Sequence, residues 1–181
     1  FGLGISGYDS LSSLVRVRHM KVLLTGPFGT IGTCVLAELL QRGHDVTCFD
    51  LDNKVNRKKA RRYAKRIHMV WGDITDPASV NAAVQGQQAI IHLAALIPPF
   101  SEERPALAEK INVDGTRHVI DAIAAQSVRP LLVFPSSISV HGWSVDRQPP
   151  CRVDTPYRAE DAYAGHKIAC EKLLHDSVVP W

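Results

Sequence analysis

A glycine-rich turn between a predicted strand and a predicted helix most narrows what this chain can fold into. The strand is the apolar run at 22–24, which is typical of a buried parallel strand. The turn, Thr-Gly-Pro-Phe-Gly-Thr-Ile-Gly at 25–32, leads into apolar residues at helical spacing, and Gly43 predicts the end of that helix. Such a turn brings backbone N–H groups and the partial positive charge of a helix N-terminus to the end of a strand, where they suit an anionic ligand.

Strands and helices alternate along the rest of the chain. Short apolar runs predict further strands at 46–49, 67–71, 89–93 and 131–134. Helices are predicted after a cap formed by Asp76 and Pro77, and at about 105–126 and 159–174. Nearly continuous apolar strands between helices indicate an α/β fold with a doubly wound, Rossmann-like parallel sheet. Residues 178–181 are expected to begin a sixth strand.

The first 19 residues differ in character from the rest of the chain. They are rich in Gly and Ser, and Arg16 and Arg18 follow the apolar residues, whereas the basic residues of a secretory signal precede them. Met20 stands directly before the first strand. We therefore expect 1–19 to be an extension outside the fold and 20–181 to form one dinucleotide-binding domain.

Composition excludes several classes of protein. Hydrophobic residues make up 45% of the chain and charged residues 22%, and no apolar run approaches the roughly 20 residues of a membrane span. The four cysteines show no metal-ligand spacing, so we expect no metal site, and reduced thiols in a cytoplasmic protein. The net charge of +3 is too small by itself to imply a nucleic-acid partner.

One basic run needs a separate interpretation. Residues 54–66 hold eight Lys or Arg and no acid. A nucleic-acid patch is one reading of such a run, and a solvated helix face between two strands is the other. We favour the solvated helix face.

Asp50 predicts how the ligand of the turn is recognised. Three glycines stand at the turn, and Asp50 ends the next strand, where a carboxylate accepts hydrogen bonds from the hydroxyls of an adenosine ribose. A carboxylate there would repel a 2′-phosphate, which favours NAD over NADP. Lys54, Arg57 and Lys58 follow closely, so the balance between the two cofactors stays open.

Tyr163 and Lys167 are four residues apart on a predicted helix and share one of its faces. A lysine ammonium about 4 Å from a phenol would lower the phenol pKa by about three units at an effective dielectric constant of about 20, which suits proton transfer near neutral pH. Ser136 and Ser137 follow the fifth strand. Because ligands bind at the carboxyl ends of strands in such a sheet, a serine there can hydrogen-bond the reacting oxygen.

Together these motifs resemble the extended short-chain dehydrogenase/reductase family, the NAD-dependent epimerase/dehydratase group. The resemblance covers Met20 to about Leu174. It rests on Thr-Gly-x-x-Gly-x-x-Gly at 25–32, Asp50, Gly-Asp-Ile at 72–74, His-Leu-Ala-Ala at 92–95, Asn-Val-Asp-Gly-Thr at 112–116, Ser-Ser at 136–137 and Tyr-x-x-x-Lys at 163–167.

The resemblance implies an NAD site, with NADP less favoured. The pyrophosphate would lie against the turn, the ribose against the aspartate after the second strand, and the adenine against the Asp-Ile pair. The nicotinamide would pass two alanines in a loop that an asparagine steadies. The implied cofactor-binding residues are Gly26, Phe28, Gly29, Thr30, Ile31, Gly32, Asp50, Asp73, Ile74, Ala94, Ala95 and Asn112, together with Tyr163 and Lys167.

The same resemblance implies hydride transfer at a secondary alcohol or ketone of a small-molecule substrate. Ser137 would be the catalytic hydroxyl, Tyr163 the acid–base, and Lys167 the residue that binds the ribose and tunes the phenol. A nucleotide-sugar epimerase is the favoured reading. The alternatives are a ketone or hydroxysteroid-type reductase of the same family and a non-catalytic dinucleotide sensor. Residues 138–139 lack the Asp-Glu pair of 4,6-dehydratases, which argues against a dehydratase.

Family members typically continue into a C-terminal substrate domain, so we expect this chain to be an N-terminal fragment that is truncated before that domain. In the family, helices equivalent to 105–126 and 159–174 pair across a two-fold axis. The resemblance therefore also predicts a homodimer through these helices.

Overall fold

The computed structural model describes residues 19–142 and 150–181. All but the last residue of the predicted extension at 1–19 lies outside these ranges. The strands are β1 (Lys21–Thr25), β2 (Asp45–Asp50), β3 (His68–Trp71), β4 (Ala89–His92) and β5 (Leu131–Val133). The helices are α1 (Thr30–Gln41), α2 (Lys54–Ala60), α3 (Pro77–Val84), α4 (Phe100–Glu103), α5 (Pro105–Glu109), α6 (Gly115–Ala124) and α7 (Ala162–His175).

The five strands form one parallel sheet in the order β3-β2-β1-β4-β5. The chain leaves β1 toward one edge of the sheet and returns to its other side at β4. A doubly wound sheet binds its ligands at the carboxyl ends of the strands beside this reversal. The predicted fold class is confirmed.

Two apolar clusters cover the two faces of the sheet, because neighbouring residues on a strand point to opposite sides. Leu23 belongs to the cluster that packs under α3, α6 and α7, whereas Leu24 belongs to the cluster under α1 and α2. Both side chains are almost fully buried, at 1% and 0% exposure. The sheet is therefore the middle layer of three, as near-continuous apolar strands predict.

The helix predicted at 105–126 is more irregular than the sequence suggests. It consists of α5, a π-helical segment at Lys110–Asp114, and α6. A π segment inside a helix often marks a functional position, and here it carries Asn112. The helix predicted from 159 begins at 162, because the Asp161 carboxylate accepts a hydrogen bond from the Ala164 N–H at 2.6 Å and so caps α7.

The sixth strand predicted at 178–181 is not formed as a strand. A 2.8 Å hydrogen bond from the Leu132 N–H to the Pro180 carbonyl joins this segment to the sheet. Val179 is buried in the core beneath it. The segment thus lies along the outer edge of β5 without a ladder of hydrogen bonds.

Two features are missing from residues 19–142 and 150–181. None of the helices there is long and apolar enough to cross a membrane. In the same residues, no group of three or more His, Cys, Asp or Glu side chains is placed to hold a metal ion.

Candidate active site

The glycine-rich turn fits tightly against the start of α1 and the end of β4. Gly26 has a φ of +64°, which favours glycine, and a Cβ there would lie 2.9 Å from the Ala94 backbone N. A Cβ at Gly32 would lie 2.1 Å from the Gly26 carbonyl O. Gly29 precedes α1 and offers no side-chain cap. The turn therefore presents an uncapped helix N-terminus with the backbone exposed to a ligand.

A cavity of about 500 Å³ opens at the carboxyl ends of β1, β2 and β4. Its lining is partly polar along β2 and β3 and apolar toward α5, where Leu107 and Ile111 contribute. Thr30 and Ile31 begin α1 beside it, with Ile31 66% exposed, and Gly32 is buried against the turn. The cavity brings together eight of the predicted cofactor residues: Gly26, Phe28, Gly29, Asp50, Asp73, Ile74, Ala94 and Ala95.

The Asp50 carboxylate is held in a fixed orientation at the β2 end of the cavity. One oxygen, Oδ1, accepts hydrogen bonds from the Leu51 N–H at 2.8 Å and from Asn56 Nδ2 at 3.0 Å. Burial raises the pKa of this carboxyl, and the hydrogen bonds partly offset the rise. The motif did not reveal Asn56, although Asn53, which caps α2 by accepting from the Asn56 N–H at 2.9 Å, was a local signal for it.

The adenine side of the predicted site is built from β3 and α6. The Asp73 carboxylate accepts from both the backbone N–H and the hydroxyl of Thr75, at 2.9 and 2.8 Å, and so shapes the loop after β3. Ile74 packs against Gly115, and a Cβ added at Gly115 would lie 2.9 Å from the Cγ1 atom of Ile74. The two family signatures at 72–74 and 112–116 are thus in direct contact.

Asn112 fixes the loop that follows β4. Its side-chain oxygen accepts from the Leu96 N–H at 2.7 Å, and its Nδ2 donates to the Leu96 carbonyl at 2.9 Å. Asn112 is 4% exposed and sits in the π segment. Nδ2 also lies 3.3 Å from His166 Nδ1, which joins this loop to α7.

A buried polar cluster connects β1, β4 and α6 beneath the loop. Thr25 Oγ1 accepts from the N–H groups of Leu93 and Ala94, both at 3.1 Å, and lies 2.8 Å from His92 Nδ1. The opposite ring nitrogen, His92 Nε2, lies 3.2 Å from Thr116 Oγ1. Burial, followed by the charge of Lys167, lowers the pKa of His92 to about 3, so the ring is neutral at physiological pH.

Lys167 points from α7 to the end of the fifth strand. Its Nζ donates to the Pro135 carbonyl at 2.8 Å and lies 4.3 Å from the centroid of the Phe134 ring. The Tyr163 ring centroid is farther away, at 5.7 Å. Lys167 is only 7% exposed, and burial lowers the pKa of its ammonium. The lysine thus ties α7 to the segment that carries the two serines.

The expectation that Lys167 would lower the pKa of Tyr163 is wrong for this structure. Burial raises the pKa of the half-buried phenol, and the charges of Asp161 and Cys170 raise it further. The ammonium does not offset this rise because it is directed at the Pro135 carbonyl and the Phe134 ring.

Ser137 lies at a second cavity, of about 560 Å³, rather than in the lining of the first. It caps the 3₁₀ turn Ile138–His141 by accepting from the Ser139 N–H at 3.2 Å, and the Ser139 hydroxyl donates to it at 2.8 Å. Lys167 and Tyr163 are likewise outside the described lining of the first cavity. The structure therefore brings eight of the predicted cofactor residues together in one cavity, while the predicted catalytic residues Ser137, Tyr163 and Lys167 lie outside its lining.

Two glutamates that the sequence did not reveal make hydrogen bonds at α7, the helix that carries Tyr163 and Lys167. Glu102 on α4 accepts from N–H groups at the start of α7, including that of Tyr163 at 3.3 Å. Glu171 accepts from the hydroxyl groups of Ser136 and, at 2.5 Å, Tyr157, and this contact raises the pKa of Tyr157. The glutamates and their partners are separated by 14 to 61 residues in sequence, and at such separations no local spacing rule predicts a contact.

Comparison with known proteins agrees with this architecture. The sequence pattern of the "NAD dependent epimerase/dehydratase family" matches residues 22–178. The 3 beta-hydroxysteroid dehydrogenase type 7 of Rattus norvegicus is 32% identical over 174 residues, which cover 93% of this chain and 50% of that protein. The UDP-glucose 4-epimerase of Lactobacillus helveticus is 31% identical, with 86% of this chain and 46% of that protein covered.

Solved structures give the same picture. The UDP-glucose-4-epimerase of Stenotrophomonas maltophila, with bound NAD and formylated UDP-arabinopyranose, superposes with a TM-score of 0.76 at 32% identity over 87% of this chain and 48% of that one. The UDP-glucose 4-epimerase of Thermus thermophilus, in complex with NAD, gives 0.75 at 28% identity, covering 86% and 50%. The chain spans about half the length of these relatives. With its family signatures gathered around one parallel sheet, the chain belongs to the NAD dependent epimerase/dehydratase family.

Proposed function

We propose that this chain is the cofactor-binding part of an enzyme that transfers a hydride between NAD and a secondary alcohol or ketone. The observation that carries the proposal is the cavity at the carboxyl ends of β1, β2 and β4, which has the glycine-rich turn at its centre and the oriented Asp50 carboxylate at one end. A binding module that served another ligand would have no need for this combination.

The residues present fit NAD. The Gly26 and Gly32 positions leave no room for a Cβ, so backbone alone faces the pyrophosphate, next to the uncapped N-terminus of α1. The Asp50 carboxylate, oriented by the Leu51 N–H and the Asn56 amide on Oδ1, would accept hydrogen bonds from the ribose hydroxyls. Asp73 and Ile74 would border the adenine, and Ala94 and Ala95 the nicotinamide. When bound, NAD would accept or return the hydride.

Tyr163 is our candidate for the acid–base. With a raised pKa the phenol is protonated at neutral pH, so it is ready to donate a proton to a substrate carbonyl oxygen. In the oxidative direction it must lose that proton, and the Lys167 ammonium would stabilise the phenolate once it turned from the Pro135 carbonyl toward the phenol. Ser137 would hydrogen-bond the same substrate oxygen.

A nucleotide sugar is the first substrate class that we propose. The UDP-glucose-4-epimerase of Stenotrophomonas maltophila was crystallised with NAD and a UDP sugar, and UDP-glucose 4-epimerases are among the relatives of this chain. In such an enzyme the hydride returns to the substrate, so the cofactor shows no net change.

A hydroxysteroid or similar apolar alcohol is the second candidate, and a specific observation favours it. The rim of the cavity beyond Ala95 is apolar, with Leu96 and Leu107 in its lining and Ile97 and Phe100 exposed by more than half. The 3 beta-hydroxysteroid dehydrogenase relative matches as much of this chain as the epimerases do. A non-catalytic NAD sensor is the third reading, and it leaves the catalytic residues without a role.

The test uses the intact protein with Tyr163→Phe. NAD affinity, measured by calorimetry, should stay within about twofold of wild type, while turnover falls by about 10²–10⁴-fold because a general acid–base has been removed. UDP-glucose converted without NADH accumulation would identify the epimerase, and a 3β-hydroxysteroid oxidised with equimolar NADH would identify the dehydrogenase. A variant that keeps most of its turnover would refute the role of Tyr163, and a wild type that binds NAD without turning over either substrate would support the sensor.

We also propose that the protein is a cytoplasmic homodimer. Of the small residues on the predicted interface helices, Ala108, Gly115 and Ala122 are buried within the chain itself. A dimer would therefore have to use exposed apolar residues such as Phe100 and Leu107. Light scattering of the intact protein at micromolar concentration tests this, and a monomer would count against it.

A further inference from the structure

Arg57, in the last turn of α2, is held by a carboxylate. Its Nε donates to Asp52 Oδ1 at 2.5 Å and its Nη2 to Asp52 Oδ2 at 2.6 Å. Both oxygens of Asp52 are thereby occupied, in the bidentate geometry that a guanidinium and a carboxylate favour. The guanidinium carbon lies 5.5 Å from the centroid of the Trp71 ring, which supports it from one side.

This ion pair lies next to the carboxylate that would bind the ribose. Trp71 is the direct partner of Asp50 in the register between β2 and β3. Arg57 follows Asn56, whose side-chain amide donates to Asp50. However, Arg57 and Trp71 line a separate groove of about 310 Å³, whereas Asp50 and Asn56 line the large cavity. A cation is therefore adjacent to the ribose end of the site but faces away from it.

We propose that Asp52 is a specificity-determining residue that withholds Arg57 from the 2′-phosphate of NADP. The inference rests on the proposed function, because it concerns the same cofactor site. Bound NADP would bring its 2′-phosphate against the Asp50 carboxylate, and an arginine is the side chain best suited to offset that repulsion. Of the nearby lysines, Lys59 is directed elsewhere, since its Nζ donates to the Phe28 carbonyl at 2.7 Å. The choice between NAD and NADP would thus depend on two carboxylates. Asp50 repels the 2′-phosphate, and Asp52 holds the Arg57 guanidinium in an ion pair.

The expected effect is modest, because the side chains of Arg57 and Asp52 are 56% and 46% exposed and surface ion pairs are weak. We expect Asp52→Asn to raise NADP affinity about fivefold and to leave NAD affinity within about twofold. The asparagine keeps the size of the side chain and removes the charge that holds the guanidinium.

The experiment measures the dissociation constants of NAD and NADP for the intact protein by calorimetry. The Asp52→Asn variant is compared with the Asp52→Asn/Arg57→Ala double variant and with Arg57→Ala alone. Glu38→Gln is the matched control, because Glu38 forms an equally exposed pair with Arg42 on α1, with a closest contact of 2.5 Å. The gain in NADP affinity should disappear in the double variant, and the control and Arg57→Ala should both behave as wild type.

Three results would overturn the proposal while NAD binding persists. The first is an Asp52→Asn variant with an unchanged ratio of NADP to NAD affinity. The second is a gain that survives in the double variant or appears in Glu38→Gln, which would reflect net charge alone. The third is a loss of NADP affinity in Arg57→Ala, which would mean that Arg57 already reaches the phosphate. A wild type that binds neither cofactor would instead refute the proposed function, and this inference with it.

Discussion

The contact between Gly32 and the glycine-rich turn allows a quantitative test of how the cofactor site is built. In Gly32→Ala the new Cβ would lie 2.1 Å from the Gly26 carbonyl O and less than 3 Å from the backbone of Pro27. These neighbours are backbone atoms, which cannot rotate away as a side chain can. The first turn of α1 would have to move off the turn. We expect the upper part of the usual overpacking cost, about 3 kcal/mol of lost stability.

Gly29→Ala is the matched control for this variant. Gly29 has a φ of −72°, which alanine adopts freely, and the nearest atom to a new Cβ is 3.6 Å away. Alanine there should change stability by less than about 1 kcal/mol, because its restriction of the unfolded chain is opposed by its poorer fit at the N-cap of α1. The two variants carry the same added methyl group only three positions apart, so a difference between them reports packing and not composition.

Thermal unfolding of the intact protein without cofactor is the assay. A loss of about 3 kcal/mol lowers the melting temperature of a domain of roughly 150–250 residues by about 6–12 °C. Gly32→Ala should therefore melt clearly below wild type and Gly29→Ala close to it. Melting temperatures for the two variants within about 2 °C of each other would refute the packing argument.

Two further predictions concern pH. Because His92 has a pKa of about 3 in the folded protein and about 6.5 when unfolded, the unfolded state takes up its proton first. Stability should therefore fall as the pH drops below about 6.5, by about 1.4 kcal/mol per pH unit from this group. Urea unfolding at several pH values should show that the free energy of unfolding of His92→Gln depends less steeply on pH than that of wild type. An equal dependence on pH would mean that His92 is not the group responsible. For Asp50, whose folded pKa is raised, acidification relieves the buried charge and favours the fold, yet it removes the acceptor for the ribose. NAD affinity should decline at a pH above the ordinary range of an aspartate, and a titration of Asp50→Asn, already weaker, should lack that step.

The parts of the site that follow from the sequence are those in which a short segment determines its own geometry. The turn at 25–32 needs glycine because of its own tight geometry. Asp50 ends β2, and the alternation of strands and helices predicts that β2 lies beside β1 in the sheet. Gly26, Phe28, Gly29 and Asp50 accordingly line one cavity. The strand order follows in the same way from the connections between parallel strands.

The parts that the sequence did not reveal depend on contacts between distant segments. Glu102 reaches the start of α7 from 60 residues away, and no spacing rule connects the two positions. The environment of Tyr163 was misjudged for a related reason. Its spacing from Lys167 predicts a shared helix face, but the direction of the ammonium is set by the Pro135 carbonyl, which another element supplies. How deeply a side chain is buried and which group a flexible side chain contacts both depend on the tertiary structure.

The hydrogen bonds of the buried cluster around His92 run in one direction, which follows from counting the hydrogens that each group can donate. Thr25 Oγ1 already accepts from two backbone N–H groups, so its own hydrogen goes to His92 Nδ1. That nitrogen is then the acceptor of the neutral ring, and the ring proton sits on Nε2 and is donated to Thr116 Oγ1. Thr116 in turn donates to the Asn112 carbonyl at 2.6 Å. These groups form a continuous chain of hydrogen bonds, each donated in the same direction, that starts in the glycine-rich turn and ends in the π segment. Through it, one histidine tautomer aligns the glycine-rich turn with the π segment that holds Asn112.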